Sequence, residues 1–155
     1  MDGKMNFEKV PLRDLIARGI VSPENSKQPD GDSQPNVIVV DDERIIADTL
    51  STILNHNGYS ATATYDAKSA LELMNTTSPD LVITDVLMPE MNGVDLAIEV
   101  RNRVPDCEVI LFTGQPQNSE VLRPALDPKN GFSLLVKPLH PSLLLRTISE
   151  VLGSA

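Results

Sequence analysis

Five polar side chains each stand directly after a short apolar run of the sequence. Asp41 and Asp42 follow one run, and Asp85, Thr113 and Lys137 each follow another. Carboxylates, a hydroxyl and an ammonium group are suited to holding a divalent cation beside a phosphoryl group. If the fold brings these groups together, the chemistry that they predict is phosphoryl transfer.

The residue types also assign roles within such a set. A carboxylate oxygen of Asp85 can attack an activated phosphorus and form an acyl phosphate. Lys137 offers a mobile positive charge to one phosphate oxygen, and the Thr113 hydroxyl can donate a hydrogen bond to another. Taken singly, each residue also has an ordinary structural interpretation, such as a turn, a helix cap or a surface lysine.

A cluster of three carboxylates implies a cation. Like charges a few ångströms apart repel, so either a pKa rises or a cation binds. Mg²⁺ prefers oxygen ligands and suits one or two carboxylates together with phosphate oxygens. Zinc is disfavoured, because Cys107, His56 and His140 fall elsewhere in the pattern.

The apolar pattern predicts the elements that position these residues. Strands are predicted over residues 37–40, 61–65, 81–84, 109–112 and 132–136. Segments with helical spacing follow the first three strands and the last one, and Asp66 is the predicted N-cap of the second helix. Continuous apolar strands alternating with helices predict a parallel α/β sheet covered on both faces. In such sheets, ligands bind at the carboxyl ends of the strands.

Composition limits the class of protein. The chain has 155 residues and a formal net charge of -9, which disfavours binding to nucleic acid or to an anionic membrane. Aromatic residues make up only 3%, so the core is expected to be aliphatic. A single cysteine allows no internal disulfide, no apolar run reaches membrane-spanning length, and Met1–Val10 lacks the apolar core of a signal peptide. A cytoplasmic location is expected by elimination.

The sequence divides into two parts. Residues 1–35 form an N-terminal extension, and residues 36–155 form the globular domain. Within residues 1–21, Leu12, Leu15 and Ile16 have helical spacing, which predicts a short helix. The rest of the extension is polar and rich in proline, as in a flexible linker.

Residues 85–93 read DVLMPEMNG and resemble the phosphoacceptor segment of bacterial response-regulator receiver domains, the family of the chemotaxis regulators. Asp41-Asp42, Thr113-Gly114 and Lys137-Pro138 extend the resemblance over residues 36–152. It implies a flavodoxin-like (βα)5 doubly wound fold with strand order 2-1-3-4-5. It also implies a cis peptide bond between Lys137 and Pro138.

The same resemblance implies a function. Asp85 would be the phosphoacceptor, Asp42 a direct Mg²⁺ ligand, and Asp41 a partner of the ion largely through water. The ion would also take a carboxylate oxygen of Asp85 and the backbone carbonyl of Leu87. The phosphoryl group would come from a sensor histidine kinase or a phosphotransfer protein. The domain would be a two-component signalling switch that assists its own phosphorylation and dephosphorylation rather than an enzyme.

Three features depart from the commonest receiver pattern. Leu134 stands where receivers usually carry an aromatic switch residue, and Phe132 is expected to face a different part of the strand's surroundings. Residues 115–129, where the fourth helix is expected, contain Pro116, Pro124 and Pro128, which predicts a short or irregular segment. The side chain of Leu87 is apolar where many receivers have a polar group.

The sequence predicts a stand-alone receiver, because only three residues follow Leu152. Its output would then come through an output protein not identified by the sequence, or through a homodimer formed by the extension or by the helix 4–strand 5–helix 5 face. The main alternative is an unphosphorylated pseudo-receiver that serves as an interaction module. A phosphoaspartate hydrolase is disfavoured because Leu87 replaces the second aspartate it needs. A flavin carrier is disfavoured because Asp41 and Asp42 would repel its phosphate.

Overall fold

A computed structural model of the chain describes residues 34–114, 119–138 and 140–153, together with Ala17. Ala17 is helical and exposed. Apart from Ala17, Gln34 and Pro35, the predicted N-terminal extension lies outside the described residues, so its helix and linker stay predictions.

Strands and helices alternate along the described chain, as the sequence pattern predicts. The strands are β1 (Asn36–Val40), β2 (Ser60–Thr64), β3 (Leu81–Asp85), β4 (Glu108–Thr113) and β5 (Ser133–Val136). The helices are α1 (Arg44–Asn55), α2 (Ala67–Leu73), α3 (Gly93–Arg103), α4 (Ser119–Leu122) and α5 (Pro141–Val151), and a 3₁₀ helix covers Arg123–Leu126. Each predicted strand boundary lies within one residue of the observed one. Phe132, for example, was predicted to begin the fifth strand but lies just before β5.

The five strands form one parallel sheet in the order β2-β1-β3-β4-β5. The flavodoxin-like strand order 2-1-3-4-5 is therefore confirmed. Every residue of the central strand β3 is buried, whereas the edge strands β2 and β5 are partly exposed. This gradient explains why β3 is a continuous apolar run while β2 gives a weaker sequence signal.

Alternating residues of the strands build two cores, one on each face of the sheet. Val37 and Val39 point to the face covered by α1 and α5, where they join a cluster with Leu50 and Phe112. On the other face, Ile38 joins a cluster that includes residues of α2, α3 and α4. Full burial of a side chain such as Leu50 stabilises the fold by roughly 1.5–3 kcal/mol relative to exposure. Both cores are largely aliphatic, as the composition predicts.

Two side chains fix the starts of helices on the second face. The Asp66 carboxylate accepts a hydrogen bond from the Ser69 N–H at 2.6 Å, which confirms the predicted N-cap of α2. The Asn92 side-chain oxygen accepts from the Asp95 N–H at 2.9 Å and starts α3. Each oxygen satisfies an N–H group that has no partner within its own helix.

Between β4 and β5 the described residues 119–132 are irregular, as Pro124 and Pro128 predict, whereas Pro116 lies outside the described residues. Within the described residues 119–138, α4 contains only four residues before the chain tightens into the 3₁₀ helix. Pro124 lies in the first turn of that 3₁₀ helix, where its missing N–H costs least. The Asn130 side chain holds this turn by donating a hydrogen bond to the Pro124 carbonyl oxygen at 2.5 Å.

Leu134 and Phe132 lie two residues apart and pack against the same core cluster. The expectation that Phe132 faces different surroundings is therefore wrong, because side chains two residues apart in extended backbone share a side. The guanidinium of Arg101 lies 5.1 Å from the centre of the Phe132 ring. Arg101 also donates to the backbone oxygens of Cys107 and Asn130, at 3.0 and 2.7 Å, and so ties α3 to the entry of β5.

Cys107 is a core residue with 1% of its surface exposed, and burial raises the pKa of its thiol to about 12. At pH 8 we expect the folded protein to react with iodoacetamide about 10³-fold more slowly than the unfolded chain, whose thiol has an ordinary pKa of about 8.5. Because the folded state keeps the proton, stability should also fall as the pH rises from about 8.5 towards 12. Timed alkylation with and without urea, followed by mass measurement, checks the rate, and equal rates would contradict the buried position.

In the described part of the chain, no helix is long and apolar enough to cross a membrane.

Candidate functional site

The sheet order brings the acidic residues together. Because β1 and β3 are neighbours, Asp41 and Asp42 after β1 lie beside Asp85 at the end of β3. One carboxylate oxygen from each of these three residues lies within 4.8 Å of the others. Among the described residues, this is the one group of potential metal-binding side chains that comes together in this way, and it contains no histidine or cysteine.

Asp41 is the most enclosed of the three carboxylates, since its residue has no exposed surface. Its Oδ1 accepts a hydrogen bond from the Glu43 N–H at 2.9 Å. Its Oδ2 is buried and has no hydrogen-bond partner among the described residues. Burial, with a smaller contribution from the charge of Asp85, raises the pKa of Asp41 to about 7.

Asp85 and Lys137 form the centre of the site. The Lys137 Nζ lies 3.3 Å from Asp85 Oδ1 and 3.9 Å from Asp41 Oδ2. Burial raises the pKa of Asp85, although the nearby ammonium of Lys137 acts in the opposite direction. Lys137 is only 8% exposed, so its charge is held inside the site rather than in bulk water.

Backbone contacts place Lys137 and Thr113 at the same edge. The Lys137 N–H donates to the Thr113 carbonyl oxygen at 2.8 Å, and Thr113 pairs with Val136 in the sheet. Thr113 is buried at the end of β4. The peptide bond between Lys137 and Pro138 is cis, as the resemblance implies.

Leu87 lies two residues after Asp85, in the loop that leads from β3 to α3, and the residue is 38% exposed. Its role as an Mg²⁺ ligand through the backbone carbonyl oxygen stays a prediction. His56 and His140 contribute to no metal-binding group among the described residues.

Gly93 closes the 85–93 motif, and the structure gives it a part in the site that the sequence pattern does not indicate. A Cβ on Gly93 would lie 2.1 Å from the backbone oxygen of Asp85, so only glycine allows this approach. The Gly93 N–H donates to the Val86 oxygen at 2.7 Å, and the Val86 N–H donates to the Phe112 oxygen at 3.0 Å. These bonds hold the backbone after Asp85 between β4 and the start of α3.

The residues present fit a hard divalent cation. Three carboxylates share a small space, one buried oxygen of Asp41 has no hydrogen-bond partner among the described residues, and the only donors in the group are oxygens. A cation there would offset the repulsion and the burial that raise the pKa values of Asp41 and Asp85. Oxygen-only donors favour Mg²⁺ over zinc.

The sheet order and the acidic edge define a flavodoxin-like α/β domain of the kind that binds its ligands at the carboxyl ends of parallel strands. Residues 37–149 match the family model described as the response regulator receiver domain, and the chain belongs to that family.

The curated relatives that the chain matches are also regulatory proteins of this kind. The chain is 33% identical over 84 residues to the response regulator MprA of Mycolicibacterium vanbaalenii, and 36% identical over 85 residues to the probable transcriptional regulatory protein TcrX of Mycobacterium tuberculosis. Each alignment covers 54% of this chain and 36% of the relative, so the chain matches about a third of the length of these proteins.

Two solved structures are matched by this chain over nearly their whole length. The signal receiver domain of an HD domain-containing protein from Pseudomonas fluorescens is 27% identical with a TM-score of 0.72, over 77% of this chain and 95% of that one. The chemotaxis response regulator CheY4 of Vibrio cholerae is 28% identical with a TM-score of 0.67, over 77% of this chain and 99% of that one. The similarity is therefore to the receiver domain as a unit.

Proposed function

We propose that this receiver domain accepts a phosphoryl group on Asp85 in a Mg²⁺-dependent reaction and thereby switches its contacts with other proteins. The observation that supports this most directly is the position of Asp85: its carboxylate lies 3.3 Å from the Lys137 ammonium and beside two further carboxylates. A receiver that had lost phosphorylation would have no need to keep three like charges crowded at one edge.

Asp85 is the nucleophile in this proposal. One of its carboxylate oxygens forms a bond to phosphorus while the bond between phosphorus and the donor breaks. With a phosphohistidine donor, the leaving imidazole nitrogen takes up a proton. Lys137 and the Thr113 hydroxyl would each hold one oxygen of the transferred group, and the backbone N–H groups that follow Asp85 and Thr113 would complete the cradle.

Asp42, Asp85 and the Leu87 carbonyl are the proposed direct Mg²⁺ ligands, with Asp41 acting largely through water. When bound, the ion supplies charge that offsets the repulsion between Asp85 and the incoming phosphate. The protein holds these oxygens in place. For Asp41, the hydrogen bond from the Glu43 N–H to Oδ1 has this effect.

The proposed phosphodonor is a sensor histidine kinase or a phosphotransfer protein, and the proposed location is the cytoplasm. Leu126, Val136 and Leu143 are large exposed apolar residues in the 3₁₀ helix, β5 and α5. They support an output partner or a homodimer on that face, the face predicted from the sequence. The stand-alone arrangement and the independent domain of residues 36–155 stay predictions.

Phosphorylation of the full chain by acetyl phosphate tests the proposal. With Mg²⁺ present, the intact mass should increase by one phosphoryl group, and peptide mapping should place it on Asp85. The same mixture with excess EDTA is the control and should show little uptake. If neither acetyl phosphate nor phosphoramidate adds the group in the presence of Mg²⁺, the pseudo-receiver alternative is the better description.

Replacing Asp42 with asparagine should weaken the ion site while leaving the fold intact, because Asp42 is exposed. Loss even of a group that only supports a metal ligand commonly lowers metal affinity about 10–100-fold, so we expect at least tenfold weaker Mg²⁺ binding. An NMR titration of the Val86 amide with Mg²⁺ measures the affinity directly, and phosphoryl uptake should fall with it.

Asp48→Asn is the matched control, since it removes the same charge from an exposed position on α1. Unchanged Mg²⁺ affinity in the Asp42 variant would rule out its assignment as a ligand, whatever happens to phosphoryl uptake.

A further inference from the structure

A groove separate from the carboxylate site lies between α2 and the loop that joins β3 to α3. Its volume is about 470 Å³, within the range of about 300–1,000 Å³ that is usual for ligand pockets. Leu71 on α2 and Met91 in the loop line it with apolar surface, and both are only partly buried by the core beneath. Arg103 of α3 borders the groove and reaches the Leu71 carbonyl oxygen at 3.4 Å.

The rim of this groove is acidic. Asp66, Glu72 and Glu90 contribute carboxylates, and Lys68 and Arg103 contribute the cations. The Nε of Arg103 is already paired with a carboxylate oxygen of Glu99 at 2.9 Å, which offsets its charge. The rim therefore favours an occupant that carries positive charge beside apolar side chains.

Strand β1 begins at the same edge of the sheet as one end of the groove. Asn75, which lines the groove, follows the last turn of α2, and that end of α2 lies near the amino ends of the strands because α2 runs back between two parallel strands. Asn36, at the start of β1, is joined there to Asp80 by two hydrogen bonds of 2.8 Å. Asp80, the partner of Asn36, is five residues after Asn75 in the sequence, so the N-terminal extension enters the domain at the edge of the sheet where this end of the groove lies.

The extension has the composition that the groove favours. Residues 1–21 contain four basic and three acidic side chains, whereas the whole chain has 13 basic and 22 acidic ones. Leu12, Leu15 and Ile16 lie on one side of the predicted helix. Ala17 is helical and exposed, and its position falls on the other side of that helix.

We propose that residues 10–20 of the chain bind in this groove of the same molecule, with Leu12, Leu15 and Ile16 against Leu71 and Met91. Eleven helical residues are about 16 Å long, close to the length of the groove wall from Ala67 to Asn75, about 13 Å. The twelve residues 22–33 can extend to about 40 Å, so the linker allows the contact.

Binding there covers part of the loop that follows Asp85, because Glu90 and Met91 belong to both the loop and the groove. The extension is then a segment of the receiver surface rather than a free tail. This inference does not depend on phosphorylation, and it is tested without a phosphodonor.

A nitroxide attached to Asn75→Cys in the full chain tests the contact by paramagnetic broadening of backbone amide signals. Labelling is selective because Cys107 is buried and its thiol pKa is raised to about 12. Residues 10–20 should broaden strongly. The matched label at Glu150→Cys, exposed near the end of α5 on the other face of the sheet, should broaden them much less.

Two variants in the extension sharpen the test and leave the core untouched. Ile16→Glu places a charge on the apolar side and should abolish the broadening from the Asn75 label. Ala17→Glu adds the same charge at the neighbouring exposed position and should retain it.

A mixture of nitroxide-labelled chain and isotope-labelled chain without nitroxide separates binding within one molecule from exchange between two copies. Broadening should be absent in the mixture. Equal broadening from both labels, broadening confined to the mixture, or no difference between the two extension variants would each overturn the proposal.

Discussion

Asp85→Asn is expected to remove phosphoryl uptake completely. The amide has no anionic oxygen to attack phosphorus, and it cannot form the acyl phosphate. The substitution keeps the shape of a side chain that is 10% exposed, and it removes one of three crowded negative charges, so the fold should persist. Intact-mass measurement after incubation with acetyl phosphate and Mg²⁺ reads the result, with circular dichroism as the check on folding.

The matched control is Asp106→Asn, the same change at an exposed position in the turn between α3 and β4. It should take up one phosphoryl group at the rate of the unaltered protein. Uptake of a full phosphoryl group by folded Asp85→Asn would show that another residue is the acceptor.

The position of the site was predictable because strand ends are visible in the sequence. Asp41 and Asp85 each end an apolar run, and parallel strands bring such ends to one edge whichever strands are neighbours. The strand order, which makes β1 and β3 adjacent, came from the resemblance and not from the pattern. The irregular α4 region was also predictable, since proline at position 124 removes an N–H whatever surrounds it.

The contacts that hold the site were not predictable in the same way. The Glu43 N–H bond to Asp41 and the approach of Gly93 to Asp85 depend on the path of the backbone between elements, which side-chain periodicity does not encode. Phe132 was misassigned for a related reason: its side is set by where the extended chain enters β5, and the Arg101 side chain helps to hold that entry.

Lys137 shows both what the sequence predicts and what it does not. A lysine after a strand is an ordinary surface residue by composition, yet Lys137 is buried against Asp85. Burial of an ammonium is tolerated only beside opposite charge, so the acidic cluster and the lysine support one another electrostatically. In the sequence, the functional position of Lys137 was indicated by all the polar strand ends taken together, and not by any single residue.

Gly93→Ala is expected to destabilise the fold and to slow phosphoryl uptake together. The added Cβ would lie 2.1 Å from the Asp85 backbone oxygen and 2.9 Å from its carbonyl carbon, and neither atom can rotate away as the end of a side chain could. Overpacking typically costs about 1–3 kcal/mol, and a contact with rigid backbone lies at the upper end of that range, which exceeds the roughly 1 kcal/mol that alanine gains over glycine in a helix. Urea unfolding monitored by circular dichroism measures the loss.

Gly131→Ala separates this contact from a general effect of replacing glycine. Gly131 has a φ of +64° and no atom within 4 Å of an added Cβ, so alanine there should cost only the left-handed conformation, about 1–2 kcal/mol, with phosphoryl uptake unchanged. In Gly93→Ala, the backbone that must move is that of Asp85, so uptake should fall even where the protein is fully folded. Equal stability losses with normal uptake in both variants would mean that the backbone after β3 can shift without displacing Asp85, and the close approach of Gly93 would then have no part in holding the site.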